Sequence, residues 1–431
     1  MSDINAYQTA PPDDKPTRYR YFVVVCLLVI VFVAFFDRVN ISILVANDAF
    51  LTDMGIKGQP VNIGFLMTAF LFSYGVCNIT LSPLADYLGP RKISLLAIGL
   101  WVISGIIGGL AGSFAMMIAV RIMLGIGEGT QYPSQSTFVK NWFPPKERGR
   151  ANAVWLVGQS LGLAGAMPVF AWIIGNYGWR PSFFVCAGVA VIPMILLWFY
   201  MTDKPSDNKR VNALELANIE EGLSKEATAV QTAEKTSFWD TAKVFIYNYR
   251  FWLLVLWTCC LSVINWGLVT WLPSYLKAAR GFSWTQMGFM ASLPFIIGLV
   301  MKIVGGWLSD RTGRSAPFCA LAMIISALGV YFGATATNNM VSALLVCLGL
   351  GAISLGLPGS WVLCQGFAPG KAVARAAGIM NGVAIILGSL SPVAIGFFIS
   401  LTGGYLGGLL FLVGTAVLGA VAALVLTYHK C

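Results

Sequence analysis

The sequence predicts an all-α integral membrane protein with twelve transmembrane helices in two pseudo-symmetric bundles of six. Three observations support this class. First, 57% of the 431 residues are hydrophobic and only 11% are charged, which is too apolar for a soluble globular protein. Second, apolar runs of about 20 residues, the length of a bilayer-spanning helix, recur along the chain. Third, one loop pattern occurs twice, about half the chain apart.

The apolar runs predict the span boundaries and the domain organisation. Each run is continuous and does not alternate over segments of about ten residues, which favours helices over barrel strands. The chain is thereby divided into an N-terminal tail (1–20), an amino-terminal bundle (21–202), a linker (203–250), a carboxy-terminal bundle (251–427) and a C-terminal tail (428–431). The predicted spans are 21–46, 61–82, 92–112, 114–137, 151–174, 182–202, 251–276, 285–307, 317–335, 340–364, 375–400 and 404–427.

The distribution of Lys and Arg predicts the orientation. If both termini are cytoplasmic, the cytoplasmic segments hold 21 of the 28 basic residues and the outer loops hold four. The run after Tyr21 is too long for the apolar region of a cleaved signal peptide, so we expect it to stay as the first span. The net charge of +10 reflects basic residues beside anionic lipid headgroups, and it gives no reason to expect a nucleic-acid partner.

Cysteine and histidine usage predicts neither disulfides nor a metal site. The nine cysteines fall in predicted spans or on the cytoplasmic side, and the only histidine is His429 in the tail. We therefore expect no cofactor. A polytopic enzyme would need a catalytic constellation such as His-Glu-x-x-His, which the sequence lacks. A sensor would need a longer output domain than the linker, which is charged, mixed in composition and predicted to contain a surface helix.

The first span contains adjacent charges, Asp37 and Arg38. Neighbouring side chains on a helix diverge by about 100°, so each can contact a different partner. Each charge at bilayer depth costs about 2.5–3.5 kcal/mol, so we expect both side chains to face a bundle interior. The alternative interpretation is a buried charge pair that only fixes helix packing.

Two loops carry the repeated pattern. One is Ser82-Pro-Leu-Ala-Asp86-Tyr-Leu-Gly89-Pro-Arg91-Lys92, after the second span, and the other is Gly306-Trp-Leu-Ser-Asp310-Arg311-Thr-Gly313-Arg314, after the eighth. In both, an acid follows a small residue by four positions and precedes a Gly-centred turn with basic residues. An internal duplication of six plus six spans explains this repetition.

The fourth span carries Arg121 and Glu128 in an otherwise apolar run. Arg121, Gly125, Glu128 and Tyr132 fall at i, i+4, i+7 and i+11, which is one face of a helix. Glycines at alternate positions from 125 to 129 allow a neighbouring backbone or a solute to approach closely. The pattern predicts that this helix lines a polar path through the membrane.

The acids at bilayer depth lie only in the amino-terminal half. They are Asp37 and Glu128, and after residue 250 the only acid is Asp310. A proton carried across must therefore use the amino-terminal half. Burial disfavours the charged form of a carboxyl group and a neighbouring arginine favours it, so substrate or conformation can switch its protonation.

These residues predict alternating access around a midplane cavity. In this hypothesis Asp37 and Glu128 take up protons from outside, which frees Arg38 to bind a substrate carboxylate through paired hydrogen bonds. Arg121 is expected to be the partner of the two acids in the unloaded state.

The two loops resemble the signature turn of the major facilitator superfamily, although the first departs from it at Ser82 and Tyr87. Within that superfamily, the chain resembles the anion:cation symporter family, which includes bacterial transporters of galactonate, glucarate and hexuronates and is related to sialin and the vesicular glutamate transporters. The likeness covers nearly the whole chain. It rests on Asp37-Arg38, Arg121 with Gly125-Ile-Gly-Glu128, Trp142-Phe-Pro-Pro-Lys-Glu147-Arg148 and Trp271-Leu-Pro-Ser-Tyr-Leu276.

The resemblance implies proton-coupled symport of an organic anion, a sugar acid such as an aldonate, aldarate or uronate, by a monomer in the bacterial inner membrane. It implicates Asp37 and Glu128 in proton coupling. Alternatives are an exporter or antiporter of the same fold, or uptake of another small carboxylate or sulfonate. The conformational-gating residues expected from the signature turns are Asp86, Arg91, Gly306, Asp310, Arg311 and Arg314.

The resemblance also implies a substrate site shared by both halves. The carboxy-terminal half is expected to recognise hydroxyl groups, and a Trp there can stack on a sugar-like face. Gln159 has a second interpretation, an interhelical hydrogen bond. We add Asn265 as a polar group in the seventh span; the residues implied by resemblance are Arg38, Tyr74, Gln159, Ser360, Trp361 and Asn381.

Overall fold

The computed structural model describes residues 15–81, 84–231, 245–368 and 373–429, without the side chains of 85, 86, 225–231, 374 and 375. Within these ranges the chain is almost entirely helical and contains no strand. Some predicted features lie outside the described residues: positions 1–14 of the tail, Ser82, the side chain of Asp86, positions 232–244 of the linker, and the last two residues.

The membrane helices, named spans 1 to 12 here, follow the predicted runs closely, and eleven of them are long and apolar enough to cross a bilayer within the described ranges. The helices outside the spans are Asp48–Asp53, Leu84–Leu88, the 3-10 turn Pro205–Asp207 and Ala213–Gln231. The spans are Tyr19–Leu44, Pro60–Thr80, Pro90–Leu110, the pair Phe114–Gly129 and Gln131–Trp142, Pro145–Tyr177, Arg180–Tyr200, Tyr249–Ser274 with a π-helical turn Tyr275–Ala279, Trp284–Thr312, Ala316–Thr335, Asn339–Ala352 continued through Ile353–Gly356 and Leu357–Phe367, Val373–Thr402, and Tyr405–Tyr428.

Span 4 is the exception, because it consists of two helices of 16 and 12 residues that meet at Thr130. Pro133, in the first turn of the second helix, lacks the N–H group that would bond to the Gly129 carbonyl. Asn78 of span 2 replaces that donor, with its Nδ2 at 3.0 Å from the Gly129 oxygen. The break therefore follows from the sequence. Because span 4 is divided, the count of twelve continuous spans stays a prediction.

Helix ends follow recognisable sequence signals. Pro60 and Pro90 lie in the first turns of spans 2 and 3, where a missing N–H is harmless. Ser283 and Gln286 form a capping box at the start of span 8. Gly313 ends the same span with φ of 64°, a left-handed conformation that favours glycine.

Spans 1–6, the amino-terminal half, and spans 7–12, the carboxy-terminal half, contact each other along three helix pairs. These pairs are spans 2 and 11, spans 5 and 8, and spans 1 and 7. Along spans 5 and 8 the closest approach is made by glycines: a Cβ atom at Gly288 would lie 2.9 Å from Pro168 Cα, and one at Gly175 would lie 3.0 Å from the Trp284 ring.

The packing of spans 2 and 11 loosens along their length. A Cβ atom at Gly64 would overlap a backbone carbonyl of span 11. Farther along, a Cβ atom at Gly75 would lie 3.2 Å from Ile385, whereas one at Gly378 would have no atom within 4 Å. Spans 2 and 11 are therefore most tightly packed at the end predicted to be outside, and their packing loosens toward the end that carries the linker.

The linker helix Ala213–Gln231 is attached to the amino-terminal half through Glu215. The side chain of Glu215 is fully buried, and its Oε2 accepts hydrogen bonds from the Tyr19 N–H at 2.7 Å and the Thr17 hydroxyl at 2.6 Å. Its Oε1 accepts from the Arg20 N–H at 3.1 Å. This carboxylate satisfies free N–H groups at the start of span 1 and complements the helix dipole.

Candidate functional site

Four charged side chains lie inside the amino-terminal half, away from lipid. Asp37, Arg38, Arg121 and Glu128 have 5%, 2%, 1% and 1% of their surface exposed. The prediction that these charges face the protein interior is confirmed. In the described structure the ion pair of Arg38 is with Glu128 and not with its neighbour Asp37.

Arg38 of span 1 reaches Glu128 of span 4. Its Nε donates to Oε2 of Glu128 at 3.0 Å, and its Nη2 donates to the same oxygen. The other carboxylate oxygen, Oε1, is buried and has no hydrogen-bond partner among the described residues. The Tyr74 hydroxyl also lies within hydrogen-bonding reach of the Arg38 side chain. The pair therefore retains one carboxylate oxygen as an acceptor for a further group.

Aromatic rings surround the Arg38 guanidinium. Its central carbon lies 4.2 Å from the Phe35 ring centroid, 4.9 Å from Tyr74 and 5.2 Å from Phe70. A fourth ring, Trp266 of span 7, lies at 5.4 Å and belongs to the carboxy-terminal half. Cation–π attraction stabilises the charge while leaving the N–H edge accessible. Sequence reasoning missed Trp266, although it follows the candidate Asn265 directly.

Arg121 binds backbone instead of an acid. Its Nε donates to the Leu66 carbonyl at 3.3 Å, and its guanidinium carbon lies 4.6 Å from the Phe70 ring centroid. No carboxylate of the described residues lies within 4.0 Å of it, so this conformation departs from the expected pairing of Arg121 with the acids. Arg121 and Glu128 stand about 10 Å apart along one helix, which explains why span 1 supplies the partner.

Asp37 occupies a separate buried environment. It lies beside the thiol of Cys186, on span 6, and close to the charge of Arg121. The two acids therefore have different neighbours, since Glu128 is paired with Arg38. Cys186 is the second contact that sequence reasoning missed, because a cysteine in an apolar run carries no signal of its neighbours.

The other predicted substrate residues are distributed over both halves. Tyr74 contacts Arg38, whereas Gln159 and Asn265 are half-buried. Ser360 is buried, and its hydroxyl donates to the Leu357 carbonyl of its own helix at 2.7 Å. Trp361 and Asn381 are exposed. None of the described contacts joins Gln159, Ser360, Trp361 or Asn381 to the pair of Arg38 and Glu128.

The first signature turn is bonded to span 6. Arg91 donates from Nε to the Leu197 carbonyl at 3.1 Å and from Nη2 to the Trp198 carbonyl at 2.6 Å. Its backbone N–H donates to Asp203 Oδ1 at 2.8 Å. The side chain of Asp86, the other gating candidate here, lies outside the described part.

The second signature turn is open. Asp310, Arg311 and Arg314 are exposed, Gly306 is half-buried, and Asp310 forms no ion pair with any described residue. Arg311 lies over the Trp307 ring at 5.1 Å. This turn lies at the end where the packing of spans 2 and 11 is looser.

The buried groups are suited to holding an anion and a proton. Across the described ranges, no three His, Cys, Asp or Glu side chains are grouped to hold a metal ion. A guanidinium binds a carboxylate or a similar anion, and a buried carboxyl with a free oxygen accepts a proton.

Known proteins resemble the chain over almost its whole length. It is 33% identical over 414 residues to the "Probable sulfoacetate transporter SauU" of Cupriavidus necator, which covers 94% of this chain and 92% of that one. It is 28% identical over 438 residues to the "Probable galactarate/D-glucarate transporter GudP" of Bacillus subtilis, covering 97% and 94%.

A solved structure shares the fold. A bacterial homolog to the human lysosomal transporter Spinster, in an inward-facing and unoccupied conformation, matches with a TM-score of 0.74 at 18% identity and covers 96% of each chain. The family description "Major Facilitator Superfamily" matches residues 27–392. The chain is therefore a multi-pass membrane transporter that belongs to the Major Facilitator Superfamily.

Proposed function

We propose that this transporter imports a small organic anion, a sugar acid, across the bacterial inner membrane together with protons. The observation that carries this proposal is the buried ion pair of Arg38 and Glu128, which lies where span 7 of the other half also contacts Arg38. A cation at this place attracts an anionic solute, and a carboxylate bound to it can exchange its partner for a proton.

Proton coupling follows from competition for Arg38. When Glu128 takes up a proton, it loses its charge and its hold on the guanidinium, which then binds a substrate carboxylate with two parallel hydrogen bonds. When Glu128 releases the proton, it competes with the substrate for Arg38. Asp37, beside Cys186, supplies a second protonation site with a different environment. Import of more than one proton per anion gains about 2.3 kcal/mol per net positive charge per 100 mV.

Alternating access is supported by the packing of the halves. Spans 2 and 11 pack most tightly at the end predicted to be outside, and their packing loosens toward the linker. With both termini cytoplasmic, the loosely packed end of this helix pair faces the cytoplasm. Rocking of the halves would close the second signature turn, with Asp310, onto an opposing surface and open the outer end.

The remaining candidates are assigned to recognition of the sugar chain. Asn265 and Asn381 supply hydrogen bonds to hydroxyl groups, Trp361 supplies a stacking face, and Gln159 contributes from the amino-terminal half. Ser360 takes part only if its hydroxyl turns away from the Leu357 carbonyl.

Transport into proteoliposomes tests this proposal. With an alkaline interior, we expect accumulation of D-glucarate or D-galactonate above the external concentration, abolished by a protonophore. Glu128→Gln should retain exchange of internal for external substrate while its pH dependence becomes flat, since the amide cannot ionise. Glu220→Gln, a matched change on the exposed linker, should leave the profile unchanged. Accumulation that does not depend on the pH gradient would contradict the proposal.

A sulfonate is the second candidate substrate. The 33% identical relative is named as a probable sulfoacetate transporter. Arg38 can bind a sulfonate or a carboxylate, but sulfoacetate has no hydroxyl groups for the asparagines to bind. Asn381→Leu should therefore weaken exchange of a sugar acid severalfold and leave sulfoacetate exchange unchanged. Competition between the two in wild-type proteoliposomes then ranks the substrates directly.

An exporter or antiporter would use the same charges. Right-side-out and inside-out vesicles separate these cases, because a symporter accumulates substrate on the alkaline side whichever side that is. Accumulation on the acidic side would show that protons move against the anion.

A further inference from the structure

We propose that Trp266 is a positioning residue through which the carboxy-terminal half sets how strongly Arg38 holds an anion. This inference rests on the proposed function, in which Arg38 binds the substrate. It adds a residue from the second half to a site whose charges all belong to the first.

The four rings around Arg38 divide between the two halves. Phe35 belongs to the same helix as Arg38, and Phe70 and Tyr74 belong to span 2, which packs within the same half. Trp266 belongs to span 7. When one half rotates against the other as a rigid body, three rings move with Arg38, and the distance to Trp266 changes.

Trp266 is anchored in the carboxy-terminal half. Span 11 packs against the indole at Gly388, where a Cβ atom would lie 3.1 Å from the indole Cδ1. The absence of a side chain at that position lets the ring lie against the helix. Ser262, one turn earlier on span 7, packs against the same glycine. The ring therefore follows spans 7 and 11 and not the helices that hold Arg38.

The indole acts on the guanidinium by cation–π attraction. A ring over the face of a guanidinium fixes its plane and leaves the N–H edge for a carboxylate. An attraction of the size measured for such pairs changes an equilibrium constant by about three- to thirty-fold. Because this ring is present at 5.4 Å in one arrangement of the halves, the affinity for the anion should differ between the two membrane faces.

Exchange kinetics measured at the two faces test this role, with labelled D-glucarate and labelled sulfoacetate as probes. Trp266→Leu should change the ratio of the KM values at the two faces by about three- to thirty-fold. Trp266→Phe, which keeps a ring, should restore the wild-type ratio. Phe35→Leu should raise both KM values together, because Phe35 moves with Arg38.

Trp252→Leu is the matched control, since Trp252 lies exposed near the other end of the same span and donates to the Ile246 carbonyl. It should leave both KM values unchanged. Equal changes at the two faces in Trp266→Leu, or none, would overturn the proposal.

A substrate-independent measurement separates this proposal from the function it rests on. If wild-type protein exchanges neither probe, the proposed function fails, and Trp266 is judged by thermal unfolding of Trp266→Leu, Arg38→Met and the double variant. Non-additive stability losses support the contact, and additive losses overturn it.

Discussion

The two halves give their arginines different kinds of partner. In the amino-terminal half, Arg38 is paired with Glu128, a group that can gain or lose a proton. In the carboxy-terminal half, Arg280 donates to the carbonyls of Ala336, Gly333 and Ala334 at 2.8 to 3.2 Å. Carbonyls do not titrate at physiological pH, so the bonds of Arg280 do not depend on the protonation of their acceptors, whereas in the proposed mechanism those of Arg38 do.

A hydrogen-bond network around Arg280 caps the C-terminal end of span 9. Tyr275 is within 2.6 Å of the Ser342 hydroxyl, which donates to the Gly333 carbonyl at 2.7 Å. Arg280 Nε donates to the Tyr275 hydroxyl at 2.9 Å. A cation at a helix C-terminus satisfies free carbonyls and complements the helix dipole. This comparison teaches that the partner of an arginine, more than its burial, decides whether its hydrogen bonds can change with protonation.

The largest effect should come from breaking the switchable pair. Arg38→Met leaves Glu128 buried without a partner, which should cost about 3–5 kcal/mol of unfolding free energy at neutral pH. It should reduce substrate exchange by at least about 30-fold. Arg38→Met with Glu128→Gln should recover most of the stability without restoring transport. Thermal unfolding and exchange assays measure both; a double variant as unstable as the single one would refute the pairing.

Asp37→Asn sharpens the comparison within the amino-terminal half. The amide cannot release a proton, so one of the two proposed protonation sites is lost, and accumulation driven by a pH gradient should fall severalfold while exchange stays within about threefold of wild type. Uptake and exchange in the same proteoliposomes measure this. Asp207→Asn, an exposed acid of the linker, is the control. Unchanged accumulation in Asp37→Asn would remove this acid from the coupling mechanism.

Arg280→Met tests the arginine that is bonded to carbonyls. Loss of its hydrogen bonds should cost about 1–3 kcal/mol of stability, because carbonyls at the end of span 9 lose donors. The pH dependence of uptake should stay as in wild type, since no titrating group is involved. Thermal unfolding and a pH profile of uptake measure the two expectations. A displaced pH profile would show that the comparison between the halves fails.

The smallest effect is expected at the surface of the amino-terminal half. Hydrogen bonds from the Trp179 indole and from Arg180 lower the pKa of Asp53 below 3.8. The contribution of ionised Asp53 to the free energy of unfolding is therefore complete above that value, and it is lost as pH falls through the lowered pKa. Asp53→Asn should remove this acid-dependent part of stability, below about 1 kcal/mol for an exposed pair. Thermal unfolding between pH 6 and 3 measures it, and an unaltered acid dependence would contradict the assignment.

Much of the fold was predictable because apolar length and charged interruptions are local properties of the chain. The burial of Asp37, Arg38, Arg121 and Glu128 followed from the energy of charges in lipid. The partner of Arg38 did not follow, because it depends on how span 1 is placed against span 4, and neither helix alone encodes that placement. Trp266 was missed for the same reason, since its contact crosses between the halves.

The break in span 4 was not predicted, although both of its causes are visible in the sequence. Hydropathy predicts one helix over 114–137, because it does not record a lost hydrogen bond. The glycine spacing and Pro133 together weaken the helix at Thr130. Ser360 illustrates a further limit: a hydroxyl in a span is as easily bonded to its own helix as to a solute.

The amide of Asn78 has a consequence for how such chains diverge. It donates to the one carbonyl that Pro133 leaves without a partner. A relative with another amino acid at the proline position regains the backbone donor, and its span 2 is then free to carry an apolar side chain opposite. The two positions should therefore change as a pair over evolutionary time, although they lie on different helices.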